Sequence, residues 1–261
     1  MIQVIINNKI NYLIQNFKVK NLFIDVQNIT TQKKTKKQTK KILPDIRERH
    51  TLTVLGGDGK KSILFGGLGF DEKNEKYIPL NDLWSLTINF EMKIVNWTKI
   101  QTKEIPIERY DHTMVWYSLN PQNNFTILFG GYGSNKKEFD ETWILVEKKG
   151  NLEFDVMKVI HKEGVKKPKA RYQHSAVVQG KNMFIYGGKS KNQILDDLWI
   201  FDCETFQYRE IQMTGISIPP RYSHSAVITQ NYMLVFGGRS NDGKFSNHCY
   251  AFDTGINFLI G

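Results

Sequence analysis

No arginine precedes Arg47, only two cysteines occur, and no run of about 18 apolar residues exists anywhere in the 261-residue chain. Each shortage excludes something. Without such a run there is no transmembrane helix. The stretch Met1 to Phe17 mixes Ile and Val with Asn, Gln and Lys, so it lacks the continuous apolar centre of a secretory signal. The missing arginine argues against a mitochondrial transit peptide. Cys203 and Cys249 make no disulfide framework and sit in no metal-ligand spacing, which fits a reducing compartment. Long amphipathic helical stretches are also missing, so a helix bundle is excluded. These absences predict a soluble, cytoplasmic protein.

What is present is glycine, charge and short runs of Val, Ile, Phe, Tyr and Trp, the pattern of many short strands. The formal charge of +10 is local. Lys33, Lys34, Lys36, Lys37, Lys40 and Lys41 carry six positive charges with no acid between them. The 36 bases less these six leave 30 against 26 acids. A lysine run spaced by Thr and Gln reads as a solvated loop or linker, with a nuclear-import or nucleic-acid patch as the alternative.

One element recurs. Arg-x-x-His-Ser/Thr begins at Arg47, Arg109, Arg171 and Arg221, with its histidines at His50, His112, His174 and His224. Each copy leads into an apolar run closed by a glycine pair, Gly66-Gly67, Gly130-Gly131, Gly187-Gly188 and Gly237-Gly238. A polar stretch follows, then an aromatic strand centred on Trp84, Trp143, Trp199 or Tyr250. A fourth strand is clearest at Asn96 to Ile100 and Gln207 to Ile211. Four short strands in sequence form an antiparallel meander. One such sheet cannot cover both its faces, and stacking several around an axis solves the problem. The glycine pair ends the second strand where positive φ or close backbone approach is needed. Pro44, Pro106 and Pro168, each three residues before the motif arginine, terminate the preceding outer strand. The aromatics supply broad faces to pack between neighbouring blades.

These motifs resemble kelch repeats. The resemblance covers roughly Pro44 to Phe258 and implies an all-β, kelch-type β-propeller with four recognisable four-stranded blades, at about 47–105, 109–165, 171–216 and 221–261. The second copy lacks the late aromatic of the Trp97 position unless Phe154 serves, and the first carries Glu48 where the others have Tyr. Residues 1–30 form an N-terminal segment and 31–43 a Lys-rich loop or linker, ahead of the repeats at 44–261. Asn21-Leu22-Phe23-Ile24 resembles Asp197-Leu198-Trp199-Ile200, so a degenerate partial blade precedes the four, or an unstructured leader does. At the other end Asn257 to Gly261 enters the last blade's fourth strand, which predicts an incomplete or irregularly closed ring.

The sequence predicts no catalytic chemistry. The four motif histidines repeat one position, which a propeller distributes one per blade, so they do not converge on a metal and read as structural hydrogen-bonding groups. His161 and His248 have no second ligand at zinc-like spacing. No phosphate-binding loop, nucleophile elbow or zincin motif occurs. Neither a cofactor, a metal nor a small-molecule substrate is expected. The alternatives to a binding module are an enzyme with a metal site in the propeller channel and a nucleic-acid binder using the lysine run.

In a four-stranded meander the second-to-third and blade-to-blade connections share one face. Here that face receives the longest segments, including 68–81, 132–141, 189–196, 239–247 and 160–169. Long loops on a rigid scaffold are where recognition sits. Kelch proteins use this face for partners, and the resemblance implies that Arg47, Arg109, Arg171 and Arg221 project there towards acidic groups. Lys162, Lys166, Lys167 and Lys169 add positive charge. Alternatively, each arginine pairs with a loop carboxylate or caps the channel. The expected function is a protein-binding scaffold or regulatory adaptor, without catalysis, whose partner carries an acidic segment.

Overall fold

An apolar run such as Ile127-Leu128-Phe129 does not alternate with polar residues, and each of the three is 0% exposed. A strand with no solvent-facing side must be covered on both faces. The computed structural model shows how; it describes residues 43–120, 123–148, 153–215 and 218–255. The segment before residue 43, with the predicted partial blade and the lysines at 33–41, lies outside the described residues. So does 256–261, where the last blade's fourth strand was expected.

The first blade contains β1 (Arg47–Glu48), β2 (Thr51–Leu55), β3 (Lys61–Asp71), β4 (Lys76–Asn89) and β5 (Ile94–Ile100). Both β1 and β2 pair with β3, and the order continues β3-β4-β5. The second is β6 (Thr113–Asn120), β7 (Asn123–Phe129), β8 (Thr142–Glu147) and β9 (Phe154–Lys158), in that order across the sheet. The third is β10 (Ser175–Gln179), β11 (Asn182–Ser190), β12 (Gln193–Asp202) and β13 (Tyr208–Ile211), again in sequence order. The fourth has three described strands, β14 (Ser225–Thr229), β15 (Tyr232–Phe236) and β16 (Cys249–Asp253). All pairings are antiparallel. The four blades follow one another around a common axis, the kelch-type β-propeller that the repeats predict.

The core lies between blades. Ile63, Phe65 and Leu83 of the first blade pack against Met114, Leu128, Trp143 and Phe154 of the second. Ile127, Phe129 and Ile144 meet Met183, Ile185, Trp199 and Tyr208. Phe184, Leu198 and Ile200 meet Met233 and Val235. In the register of Trp97 and Tyr208 the second blade has Val156, opposite Leu145, and the aromatic Phe154, 4% exposed, stands two residues earlier at the start of β9. Among the described residues no fourth apolar layer joins the last blade to the first. One face of the last blade is accordingly open, with Val227 57% and Phe236 55% exposed.

The glycine pair corrects one expectation. In the first and third blades the strand does not end there: β3 and β11 run on through the pair, with a register shift between Phe65 and Gly67 and between Tyr186 and Gly188. Segments 68–81 and 189–196 are therefore largely extended hairpins rather than free loops. The pair is a bulge that meets the next blade. Gly67, Gly131 and Gly188 donate their N–H groups to the carbonyls of Arg109, Arg171 and Arg221 at 2.8–2.9 Å. A Cβ on Gly187 (φ +61) would lie 2.8 Å from the Arg221 carbonyl, whereas one on Gly237 (φ +74) would find its nearest atom at 3.5 Å. Positive φ alone costs a side chain about 1–2 kcal/mol. Gly187→Ala is therefore expected to lower the urea midpoint clearly more than Gly237→Ala, because only Gly187 faces a following blade. Equal losses would show that backbone conformation, not blade contact, selects glycine.

Candidate functional site: the loop face and its arginine clamps

Each motif arginine enters its blade directly after the blade-to-blade connection, and its side chain turns inward. Arg109 and Arg171 are 0% exposed and Arg221 is 3%. Their contacts repeat. Nε donates to the carbonyl two residues earlier, on Asp45, Ile107, Lys169 and Pro219 in turn. Nη1 donates to the carbonyl of the first glycine of the pair, on Gly66, Gly130, Gly187 and Gly237 at 2.8–3.0 Å.

In three blades a carboxylate completes the clamp. Arg47 grips Asp82 through both terminal nitrogens, at 2.5 and 2.8 Å. Arg109 reaches Glu141 at 2.9 Å, and Arg171 grips Asp197 at 2.8 and 2.7 Å. The indole two residues on binds the same carboxylate: Trp84 to Asp82, Trp143 to Glu141, Trp199 to Asp197. Burial pushes the Glu141 carboxyl up, but hydrogen bonds from Arg109, Lys158 and Trp143 outweigh it and hold it at about 2. Asp82 and Asp197 are held below the ordinary carboxylate range in the same way, against burial, by Arg47 and Arg171. The expected projection of Arg47, Arg109 and Arg171 towards a partner is thus corrected. Their donors are committed to their own blade, because a carboxylate, bidentate on Arg47 and Arg171 and single on Arg109, joins a glycine carbonyl to satisfy a buried guanidinium.

The histidines link blades. His112 Nε2 shares a 2.8 Å hydrogen bond with Thr51 Oγ1, His174 with Thr113 Oγ1 at 2.9 Å, and His224 with Ser175 Oγ at 2.8 Å. The hydroxyl at the end of one motif therefore meets the histidine of the next. Burial, reinforced by the adjacent motif arginine, pulls His112 down to about 3 and His224 to about 4, and moves His174 well below its ordinary value.

The four loop lysines are exposed, and their charge is partly answered. Lys166 pairs with Glu210 at 2.5 Å, Lys167 with Asp140 at 2.8 Å, and Lys169 reaches Gln193 Oε1 at 3.3 Å. Lys166, Lys167 and Lys169 line a cleft of about 610 Å³ with Asp196 and Trp199. Lys162 lines a neighbouring cleft of about 360 Å³, which shares Lys167.

A second feature of this face escaped the sequence reading. The residue after each motif arginine bridges to the residue after each glycine pair: Tyr110 to Tyr132, Tyr172 to Lys189, Tyr222 to Arg239. Near the axis these side chains form a row. Tyr110 and Tyr132 have ring centroids 5.6 Å apart, and Tyr132 and Tyr172 lie at 4.7 Å. Arg49 sits 4.5 Å from the Tyr110 centroid, and Lys189 Nζ lies 4.8 Å from that of Tyr222. Arg239 lies 4.6 Å from the Phe245 ring, which is 80% exposed. The signal was the tyrosine of Arg-Tyr-x-His in three of the four copies.

A propeller whose four blades repeat one motif of arginine, histidine and glycine pair is that of a kelch-repeat protein. The chain belongs to the kelch-repeat family: residues 59–257 match the model described as the KLHDC2/KLHL20/DRC7 Kelch-repeats domain. It is similar to an F-box/kelch-repeat protein of Arabidopsis thaliana, 29% identical over 61% of this chain and 32% of the relative. It is also similar to Kelch domain-containing protein 2 of Bos taurus, 25% identical over 52% of this chain and 36% of the relative. Host cell factor 2 of Homo sapiens is 27% identical over 64% of this chain and 22% of the relative. The chain thus matches about a third or less of these relatives' own lengths.

Proposed function

We propose that this chain is a non-catalytic protein-interaction module that serves as a scaffold or regulatory adaptor and holds its partner on the loop face. The observation that carries the reading is the contrast between the two faces. The loop face collects the row Arg49, Tyr110, Tyr132, Tyr172, Lys189 and Tyr222, and beside it the clefts of Lys162, Lys166, Lys167 and Lys169. The opposite face offers short turns such as 180–182, where Lys181 is balanced by Asp202 and Glu204. Aromatic and cationic side chains on rigid strands suit an acidic protein segment, since they lose little conformational freedom on contact.

The lysines would steer the partner more than hold it. Reversing Lys166, Lys167 and Lys169 to Glu is expected to slow association with a captured partner by about tenfold and to flatten its salt dependence. Lys181→Glu on the opposite face should change neither. Surface plasmon resonance across a salt series tests this, and equal effects from both faces would overturn the assignment of the binding face.

A further inference from the structure

The fourth blade departs from the clamp in one place. The N–H of Gly130 donates to the Glu141 carbonyl at 3.2 Å, and the N–H of Gly237 donates to the His248 carbonyl at 3.2 Å. His248 therefore occupies the backbone position of Glu141, two residues before Tyr250 as Glu141 stands two before Trp143. Both partners of the clamp have changed together, carboxylate to imidazole and indole to phenol. The imidazole turns to its own loop, with Nδ1 3.2 Å from Ser246 Oγ.

Arg221 keeps the other bonds of its class, to the Pro219 and Gly237 carbonyls. Its guanidinium carbon lies 4.6 Å from the Tyr250 centroid. Among the described residues no carboxylate reaches it. A cation 3% exposed and without a counter-ion is costly, and the other three blades avoid that state. Beside it lies the buried Tyr186 hydroxyl, which makes no full hydrogen bond. Burial pushes that phenol up, and the charge of Arg221 and the approach of its side chain to the hydroxyl oppose the rise. The equivalent side chains are Phe65 and Phe129, so only this junction adds a hydroxyl.

The missing group has an open approach. In the other blades the carboxylate at this place keeps 14%, 15% and 21% side-chain exposure although its arginine is buried. The segment of the fourth blade that leads to His248 carries Lys244, paired with Asp242, and Arg239 against the exposed ring of Phe245. We propose that Arg221 is an anchor for a carboxylate supplied from outside, an Asp or Glu side chain of a protein partner that completes the fourth clamp where Asp82, Glu141 and Asp197 complete the other three. This rests on the loop-face reading only for what bears the carboxylate.

The test compares the wild type with His248→Asp, which returns an internal carboxylate at an exposed position. The Arg221 Nε–Hε resonance and the melting temperature are followed during titration with sodium acetate and with acetyl-Gly-Glu-Phe-amide, each against sodium chloride at equal ionic strength. Both carboxylates should shift the wild-type resonance and raise its melting temperature by several degrees more than chloride. His248→Asp should start higher and respond to neither. Equal responses in the two proteins, or a wild type indifferent beyond chloride, would overturn the anchor. A response to acetate and not to the peptide would overturn the protein side chain as its source. Failure of the loop-face reading looks different: the lysine reversals leave partner capture unchanged while the Arg221 response persists.

Discussion

Arg171→Met is expected to destabilise the protein by about 3–5 kcal/mol, the loss that follows removal of one partner from a buried ion pair. The guanidinium is fully buried and makes bonds to Asp197, the Gly187 carbonyl and the Lys169 carbonyl. Without it, Asp197 loses both guanidinium bonds and keeps the Trp199 indole at 2.7 Å. The Gly187 carbonyl also loses a donor, at the bulge that meets the fourth blade. Arg221→Met should cost markedly less, since no carboxylate is stranded and the change removes an uncompensated cation. Chemical denaturation of the two variants decides the matter. Equal losses would mean that the arginines act through their carbonyl bonds alone and that the carboxylates contribute little.

Mild acid should weaken the fold through its histidines before its carboxylates respond. His112 and His224 are held near 3 and 4 in the folded protein against 6.5 for the free side chain, and His174 moves the same way. The folded state therefore binds fewer protons than the unfolded state between these values. Their contribution is intact above pH 6.5 and declines as pH falls towards 4. At one unit below the free value each histidine would forfeit about 1.4 kcal/mol. Glu141, Asp82 and Asp197 are displaced downward, so the stability they contribute is lost only at lower pH, as it falls from their unfolded range towards their folded values. Asp111 is raised by burial and favours the folded state in acid, which offsets a part of the loss. Stability measured by urea from pH 7 to 4.5 should fall steeply, and His112→Asn with His174→Asn should flatten the slope. A flat wild-type profile would mean that the histidines are protonated in the fold and that their hydroxyl partners act as acceptors.

The roles of the motif arginines show where sequence reading stopped. Their repetition marked them as important, and the resemblance pointed them towards a partner. The residues that satisfy them lie 35, 32 and 26 positions further along, on or just before the third strand of the same blade. The pattern Asp-Leu-Trp at 82–84 and 197–199, with Glu-Thr-Trp at 141–143, was visible in the chain. Nothing local says that its carboxylate folds back onto the arginine. The replacement by His248 looked like an isolated histidine until the shared glycine N–H contact placed it in register with Glu141.

By itself the sequence determined the unit. Strand-forming runs, glycine pairs and spaced aromatics recur with one order, and each reports a short-range requirement: a backbone conformation, an apolar face, a chain terminator. From them followed an all-β chain of four blades and the histidines' place in every one. Tertiary structure decided what depends on a neighbour. Whether a glycine is a strand end or a bulge pressed on the next blade, whether Phe129 is covered and Phe236 open, and whether an arginine is free or clamped are set by contacts far apart in the chain. Identical motifs therefore carry different environments, and the fourth blade, with no described successor, keeps the pattern of the others without their partners.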